Sequence, residues 1–270
     1  MPSRTAGWFG LGGLTLGFGF LYAPIALLVF YSFNASRLVT VWAGFSTHWY
    51  GALFHDEAFG AAALTSLEVA ATAATLSLLL GTLAGFSMAR FASFPGRLVF
   101  GFALLAPVVV PEVILGLSLL LMFVTCESWF GWPGRGMLTI TVAHATFGAC
   151  FVSVLVRAQL ADFDRALEEA ALDLGARPWT VLTRITLPVI SPALLSGWLL
   201  AFTLSLDDLV VASFVTGPSA TTLPMAVFSR VRLGVSPEVN ALATLFLCVV
   251  FVTVAFAGWL IARTERRRQI

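Results

Sequence analysis

The chain has no lysine; all 15 of its lysine-or-arginine positions are arginine. A P-loop needs the lysine of G-x-x-x-x-G-K-[ST], because its ammonium reaches the terminal phosphates of a nucleotide. A lysine-free chain cannot build that site, so it is not itself a P-loop ATPase. Charge of either sign is scarce. Charged residues make up 11% of the 270 and the formal net charge is +1, against roughly a quarter charged in soluble domains. Bulk electrostatics therefore give no support to nucleic-acid binding. Cysteine is sparse too. Cys126, Cys150 and Cys248 lie far apart, in or beside apolar runs. They show neither metal spacing nor a disulfide framework and read as small packing residues. No Ser/His pair or ligand cluster suggests a membrane enzyme, and no fixed-period repeat or low-complexity linker interrupts the chain.

What is abundant is oil. The chain is 59% hydrophobic, with 24 Phe, 23 Gly and 8 Trp. That is a membrane composition, and the length suits one transmembrane domain over residues 1–270, an all-α bundle. A span needs about 20 apolar residues to cross ~30 Å of hydrocarbon. Six stretches qualify, at about 8–33, 61–85, 98–125, 136–156, 192–215 and 240–262. The first is too long for a signal-peptide core and is expected to be retained.

Arginine placement orients the bundle. Arg4, Arg90, Arg97, Arg157, Arg165, Arg177, Arg184, Arg263, Arg266, Arg267 and Arg268 fall on one side; Arg37, Arg135, Arg230 and Arg232 fall on the other. The positive-inside rule puts both termini in the cytoplasm. The longest cytoplasmic connection is then 157–191. Outside, Asn34–Gly60 is rich in aromatics, including Trp42, Phe45, Trp49 and Tyr50, as an interfacial belt requires. Thr216–Val239 predicts a short helix capped by Thr222, with Pro224 in its first turn and Gly234 at its end, and a new start at Ser236-Pro237-Glu238. Asn34-Ala35-Ser36 matches a glycosylation sequon by chance. Gly13 and Gly17 form a small-xxx-small pair suited to close helix packing.

The cytoplasmic connection contains EEAALDLGARPWTVLTRITLP, residues 168–188. Asp162 or Asp164 can cap a helix over Arg165–Leu174, and Gly175 falls where a left-handed C′ glycine belongs. Pro178 suits the first turn of a second short helix. Pro188 is expected to force Leu187 out of the helical region, and Ser191-Pro192 to start the fifth span. The bland reading is an inert amphipathic linker. However, Glu169-Ala170-Ala171, three residues, Gly175, nine residues, Ile185, one residue, Leu187-Pro188 fills E-A-A-x3-G-x9-I-x-L-P completely. It resembles the EAA loop of ATP-binding-cassette importer permeases. The resemblance implies a type I importer permease (MetI-like) fold, with six transmembrane helices and a cytoplasmic coupling helix formed by these residues. In that family the coupling helix docks in a groove of an ATPase subunit, whose closure on ATP moves the spans as rigid bodies. This chain would then carry no cofactor, ATP and Mg being bound by the partner subunits.

Carboxylates inside spans cost about 2.5–3.5 kcal/mol each at a helix centre, so they face a cavity, pair, or act. Asp207 and Asp208 sit side by side in LSLDDLVV; Glu112 follows Pro107 and Pro111; Glu68 lies early in the second span. No arginine lies in those spans to neutralise them, which suits a cationic substrate or ion. The prolines before Glu112 also free backbone carbonyls. Asp207 and Asp208 are about 100° apart on a helix, so one of them can instead cap a broken helix. Glu68 reads as a solvated end, His144 as a packing histidine, and Ser205 as a neutral acceptor or a self-bonded serine.

Three further stretches extend the resemblance over nearly the whole chain: FNASRLVTVWAGFSTHWYGALF, GWPGRGMLTI, and SGWLLAFTLSLDDLVVASFVTGP through TLPMAVFSRVRLGVSPEVNALATL. They are similar to the polyamine-importer permeases, and closest to the putrescine-importing ones. The resemblance implies an inner-membrane permease subunit with Glu112, Ser205, Asp207 and Asp208 as passage residues, and Trp49 stacking on an ammonium or serving the belt. It implies a second homologous permease in a heterodimer, two ATPase copies, a periplasmic polyamine-binding protein and surrounding lipid. The alternatives are a spermidine-preferring or other cationic-substrate permease and, in another class, an ion-coupled transporter. The latter leaves the EAA loop without a purpose.

Overall fold

A computed structural model describes residues 4–38, 41–91, 93–218, 220–233, 237–248 and 251–252. The described residues are helical apart from connections and one isolated bridge between Asn34 and Phe45. In chain order the helices are α1 (Arg4–Tyr31), α2 (His48–Phe54), α3 (Glu57–Arg90), α4 (Arg97–Val109), α5 (Glu112–Phe130) and α6 (Met137–Ala161). There follow α7 (Ala166–Asp173), α8 (Pro178–Val181), a π-helical turn (Leu182–Thr186), α9 (Leu187–Asp207), α10 (Val210–Val215), α11 (Leu223–Leu233) and α12 (Pro237–Cys248). Five helical stretches are long and apolar enough to cross a membrane: Gly12–Tyr31, α3, α5, α6 and the continuous run Pro178–Asp207. α4 and α12 are shorter apolar helices.

The chain divides into two compact units, residues 1–60 with 227 onward, and residues 61–226. In the first, every side chain of α1 from Gly12 to Leu27 is exposed, Gly13 and Gly17 included. An apolar helix left bare in this way needs lipid or another subunit around it. The loop after α1 is tied by Asn34. Its side chain donates to Val41 O at 2.8 Å and accepts from Ala43 N–H at 3.0 Å. Its carbonyl accepts from the Trp49 indole N–H at 2.7 Å. Asn34 is fully buried, so its amide serves as an internal knot rather than a glycan acceptor. In the same unit Arg230 lies 4.0 Å above the Phe59 ring and pairs with Asp56 at 2.5 Å and Glu238 at 2.8 Å.

The second unit is built around α6, the most buried span. α3 approaches it through small residues. A Cβ on Gly81 would meet Ala149 O and Val152 at 2.6 Å, one on Gly85 would meet Ser153 O at 2.7 Å, and one on Gly148 would overlap Ser77. Ser77 donates to Ala145 O across the seam at 3.2 Å. Without a hydrophobic drive between helices in lipid, such backbone approach is what holds them. Two buried clusters lie along α6. One joins Ile140 and Ala143 to Leu119 and Phe123 of α5 and Val211, Ala212 and Val215 of α10. The other joins Val152, Val156 and Leu160 to Ala74 of α3 and Ile190 and Ala201 of α9.

Several expectations are corrected. The third span is not one helix over 98–125. It breaks at Val110 and Pro111, both extended, with ψ of 133° and 136°. Pro188 does not eject Leu187 from the helical region, for Leu187 has φ −60° and ψ −44°. The chain instead widens one turn: Leu187 N–H donates to Leu182 O, five residues back. A π-turn of this kind makes room where a proline lacks its N–H and its ring crowds the preceding turn. Ser191 and Pro192 lie inside α9, so the helix of the fifth span begins at Pro178 rather than Pro192. Thr222 offers its carbonyl, to Ala226 N–H, while Ser66 Oγ accepts from Leu223 N–H at 2.7 Å. Pro237 and Glu238 lie in α12, and the start of that helix falls outside the described residues. Gly234, Ser236 and the end of the sixth predicted span lie outside the described residues.

Candidate functional site

The connection after α6 folds as a short helix and a glycine turn. Asp164 Oδ1 accepts from Ala166 N–H at 2.9 Å and starts α7. At its end Ala176 N–H donates to Ala171 O at 3.0 Å and Gly175 N–H to Leu172 O at 2.9 Å. These are the two bonds of a Schellman ending, which requires a left-handed residue at C′; Gly175 supplies it with φ +84°. Arg177 is extended and Pro178 opens the next helix. What the sequence read as a second independent short helix is the first turn of the fifth span. Four residues, Leu174 to Arg177, therefore join α7 to that span.

The fastening residue is Glu168, the neighbour of Glu169. Its Oε1 accepts from Arg90 Nη2 at 2.7 Å and from the Thr186 hydroxyl at 2.5 Å. The Arg90 guanidinium also lies 5.3 Å from the centre of the Phe163 ring. One carboxylate thus ties α7 to the end of α3 and to the π-turn. Glu169, Ala170, Gly175 and Pro188 are exposed, and Ala171, Ile185 and Leu187 are half-buried. Leu172, Leu174 and Trp179 stand exposed beside them, Leu174 at 89%. The face mixes small and large apolar side chains with the exposed Glu169 carboxylate, and Glu168 ties it to the spans behind.

The intramembrane acids collect at two helix breaks. Glu112 is the first residue of α5 and is exposed. Asp207 ends α9 and is exposed; Asp208 is extended, with ψ 125°, and α10 starts two residues later. The breaks are neighbours, because α5 and α10 pack together. A Cβ on Gly116 would meet the Phe214 ring at 2.7 Å and Val211 Cα at 3.3 Å. Further on, Phe123 lines a cavity with Thr139, and the Thr139 hydroxyl donates to Val215 O at 2.7 Å. Gly116, one turn into α5 from Glu112, therefore lies against α10, just after the break at Asp208.

The four expected passage residues of these spans separate here. Glu112 and Asp207 are open. Asp208 and Ser205 are engaged with a residue that the sequence reading set aside, His144. Glu68 is exposed on α3. Trp49 is only 7% exposed, and its indole is held by Asn34, so in this fold it anchors a loop instead of offering a face to an ammonium. Among the described residues no group of three His, Cys, Asp or Glu side chains could hold a metal ion.

Residues 77–269 match the family model of the binding-protein-dependent transport system inner membrane component. The chain belongs to this family. Among its relatives is the putrescine transport system permease protein PotI of Escherichia coli K12, 58% identical over 256 residues, covering 94% of this chain and 91% of that one. The spermidine/putrescine transport system permease protein PotC of the same strain is 41% identical, covering 95% and 94%. In solved structures the fold of this inner-membrane component resembles a bacterial ABC transporter that imports the acidic polysaccharide alginate, with TM-score 0.71, 19% identity and 96% and 99% coverage. The methionine ABC transporter MetNI gives TM-score 0.58 at 18% identity, over 74% of this chain and 93% of that one. The all-α importer-permease fold implied by the EAA spacing is thus the fold of this family member.

Glu168, Arg90 and His144 touch the candidate residues or their elements, and the sequence pattern gives none of them that place. Glu168 and Thr186 are 18 residues apart, and His144 and Asp208 are 64 apart. Glu168 and Thr186 lie in separate elements with a glycine turn between them, and His144 and Asp208 belong to different helical stretches, so only the packed bundle reveals the pairs.

Proposed function

We propose that this permease is one half of the membrane pore of an ATP-driven importer that carries putrescine across the bacterial inner membrane. The observation that carries this reading is the 58% identity to a putrescine permease across nearly the full length of both chains. The chemistry agrees with it. Free amines titrate near pH 10, so a short diamine enters as a dication. Glu112 and Asp207, exposed at adjacent helix breaks, supply carboxylates for its ammonium groups, and the break at Val110–Pro111 supplies backbone carbonyls.

ATP and Mg belong to two partner ATPase copies, which this lysine-free chain cannot replace. Each permease offers its α7 and the adjoining Gly175 turn to one ATPase groove. Glu168 passes the motion to α3 and α9. A sister permease completes the passage, and a periplasmic binding protein meets the segments 34–60 and 216–239. Both termini lie in the cytoplasm, on the arginine-rich side.

The test is uptake of labelled putrescine into liposomes holding the chain with its sister permease and ATPases, fed by the binding protein. The expected result is ATP-dependent uptake, competed at lower concentration by putrescine than by spermidine. Stronger competition by spermidine reassigns the cargo, and no polyamine uptake ends the reading. Gly175→Val should abolish uptake and coupled ATP hydrolysis while the chain still inserts, since a β-branched residue opposes the left-handed turn. Normal uptake in that variant removes the coupling role.

A further inference from the structure

The two aspartates of the fifth span are in different chemical situations, and one buried histidine makes the difference. α9 ends at Asp207 with no proline or glycine nearby to stop it. The first N–H groups of α10 are then orphaned inside the membrane, where each unsatisfied group costs several kcal/mol. Asp208 satisfies them: Oδ2 accepts from Ala212 N–H at 2.7 Å and Oδ1 from Val211 N–H at 3.3 Å. Oδ2 also accepts from His144 Nε2–H at 3.1 Å. A carboxylate has about four acceptor positions, and three are used. A carboxylate oxygen accepts, so Nε2 carries a proton, and the other ring nitrogen, Nδ1, is hydrogen-bonded to the Ser205 hydroxyl at 2.6 Å. The Asp208 side chain is 13% exposed and that of His144 4%. Asp207, one residue earlier and about 100° around the helix, is exposed.

We infer that His144 and Ser205 are positioning residues that lock Asp208 as the cap of α10, so that Asp207 is the member of the pair that meets the substrate cation. The chain Ser205–His144–Asp208 spans α6, α9 and α10, and it sets where the fifth span breaks. The break in turn sets where Asp207 points. His144 thus acts on the passage without touching the diamine. This inference rests on the diamine-passage reading above.

The test uses the assembled complex with two readouts. The first is thermal melting in detergent, which needs no substrate. His144→Ala and Asp208→Ala should each lower the melting temperature, and the double variant should be no worse than Asp208→Ala alone, as for members of one network. Asp208→Asn should recover most of the loss, since asparagine caps nearly as well as aspartate. The second readout is the KM for labelled putrescine. Asp207→Asn should raise it roughly tenfold or more, the loss expected of a charge-assisted hydrogen bond. Asp208→Asn and Ser205→Ala should leave KM within about twofold, on the scale of a neutral contact, while lowering maximal uptake. Additive melting losses overturn the network. A KM raised by Asp208→Asn as much as by Asp207→Asn overturns the division of labour. If no aspartate variant moves KM while the melting losses are non-additive, the diamine-passage reading fails, and the role given to Asp207 fails with it.

Discussion

The third and fifth spans are both broken next to an acid, but by opposite means. At Val110–Pro111 the backbone itself forces the break: Pro111 has no N–H to continue the ladder, and its ring pushes Val110 to an extended conformation. At Asp208 the residues on either side are ordinary helix formers. There the Asp208 carboxylate accepts from the Val211 and Ala212 N–H groups, and His144, itself bonded to Ser205, holds that carboxylate. The counterexample lies in the same span, where Pro188 and Pro192 are carried within one continuous helix. Proline is therefore neither sufficient nor necessary for a break. What matters is where the freed or orphaned backbone groups find partners.

The largest expected effect comes from separating the two breaks. Gly116→Leu would drive a side chain into Phe214 and Val211. Overpacking costs about 1–3 kcal/mol, and it would part the first turns of α5 and α10. Uptake should fall by more than about tenfold, with a lower melting temperature for the assembled complex. Normal uptake would mean that the two breaks need not stay together.

A smaller effect sharpens the contrast between backbone and side-chain breaks. Pro111→Ala restores an N–H at a forced break, whereas Pro188→Ala restores one inside a helix that already passes it. The former should lower uptake roughly twofold or threefold, as expected from loosening a site worth ~0.5 kcal/mol. The latter should leave the melting temperature unchanged or raise it, since proline in a helix interior is unfavourable by up to about 3 kcal/mol. Uptake and melting curves of both variants decide this.

The smallest effect is at the ion pair outside the spans. The hydrogen bond from Arg230 holds the Asp56 carboxyl below its ordinary value. A depressed acid contributes stability above its unfolded pKa, about 4, and loses it as pH falls through the folded value. Asp56→Asn should therefore lower the melting temperature slightly at pH 7, and the difference from wild type should shrink as the pH falls below 4. The pair is about a quarter exposed, so less than about 1 kcal/mol is at stake. A difference that grows in acid would contradict the assignment.

The reach of the sequence can be judged from these particular residues. Gly175 was legible because a left-handed C′ position admits little else, and Pro178 because its ring suits a first turn. The apolar lengths gave most of the spans, and the break in the third was hinted at by Pro107 and Pro111. The small-residue seam of Gly81, Gly85 and Gly148 is not legible in the sequence, because glycine spacing alone does not say which helix lies opposite. Glu169 belongs to the motif, yet the fastening carboxylate is Glu168, and adjacent residues on a helix differ in which neighbour they face.

Local chemistry written in the sequence thus determined that the chain crosses a membrane, cannot build a lysine-bearing P-loop, and carries a glycine-hinged EAA element between its fourth and fifth spans. The tertiary structure decided which of two adjacent aspartates is spent on the backbone and which is left open. The physical reason is that a lone carboxylate in a span is costly, and whether it is satisfied depends on donors from other helices. His144 is 64 residues from Asp208, a distance no local pattern records.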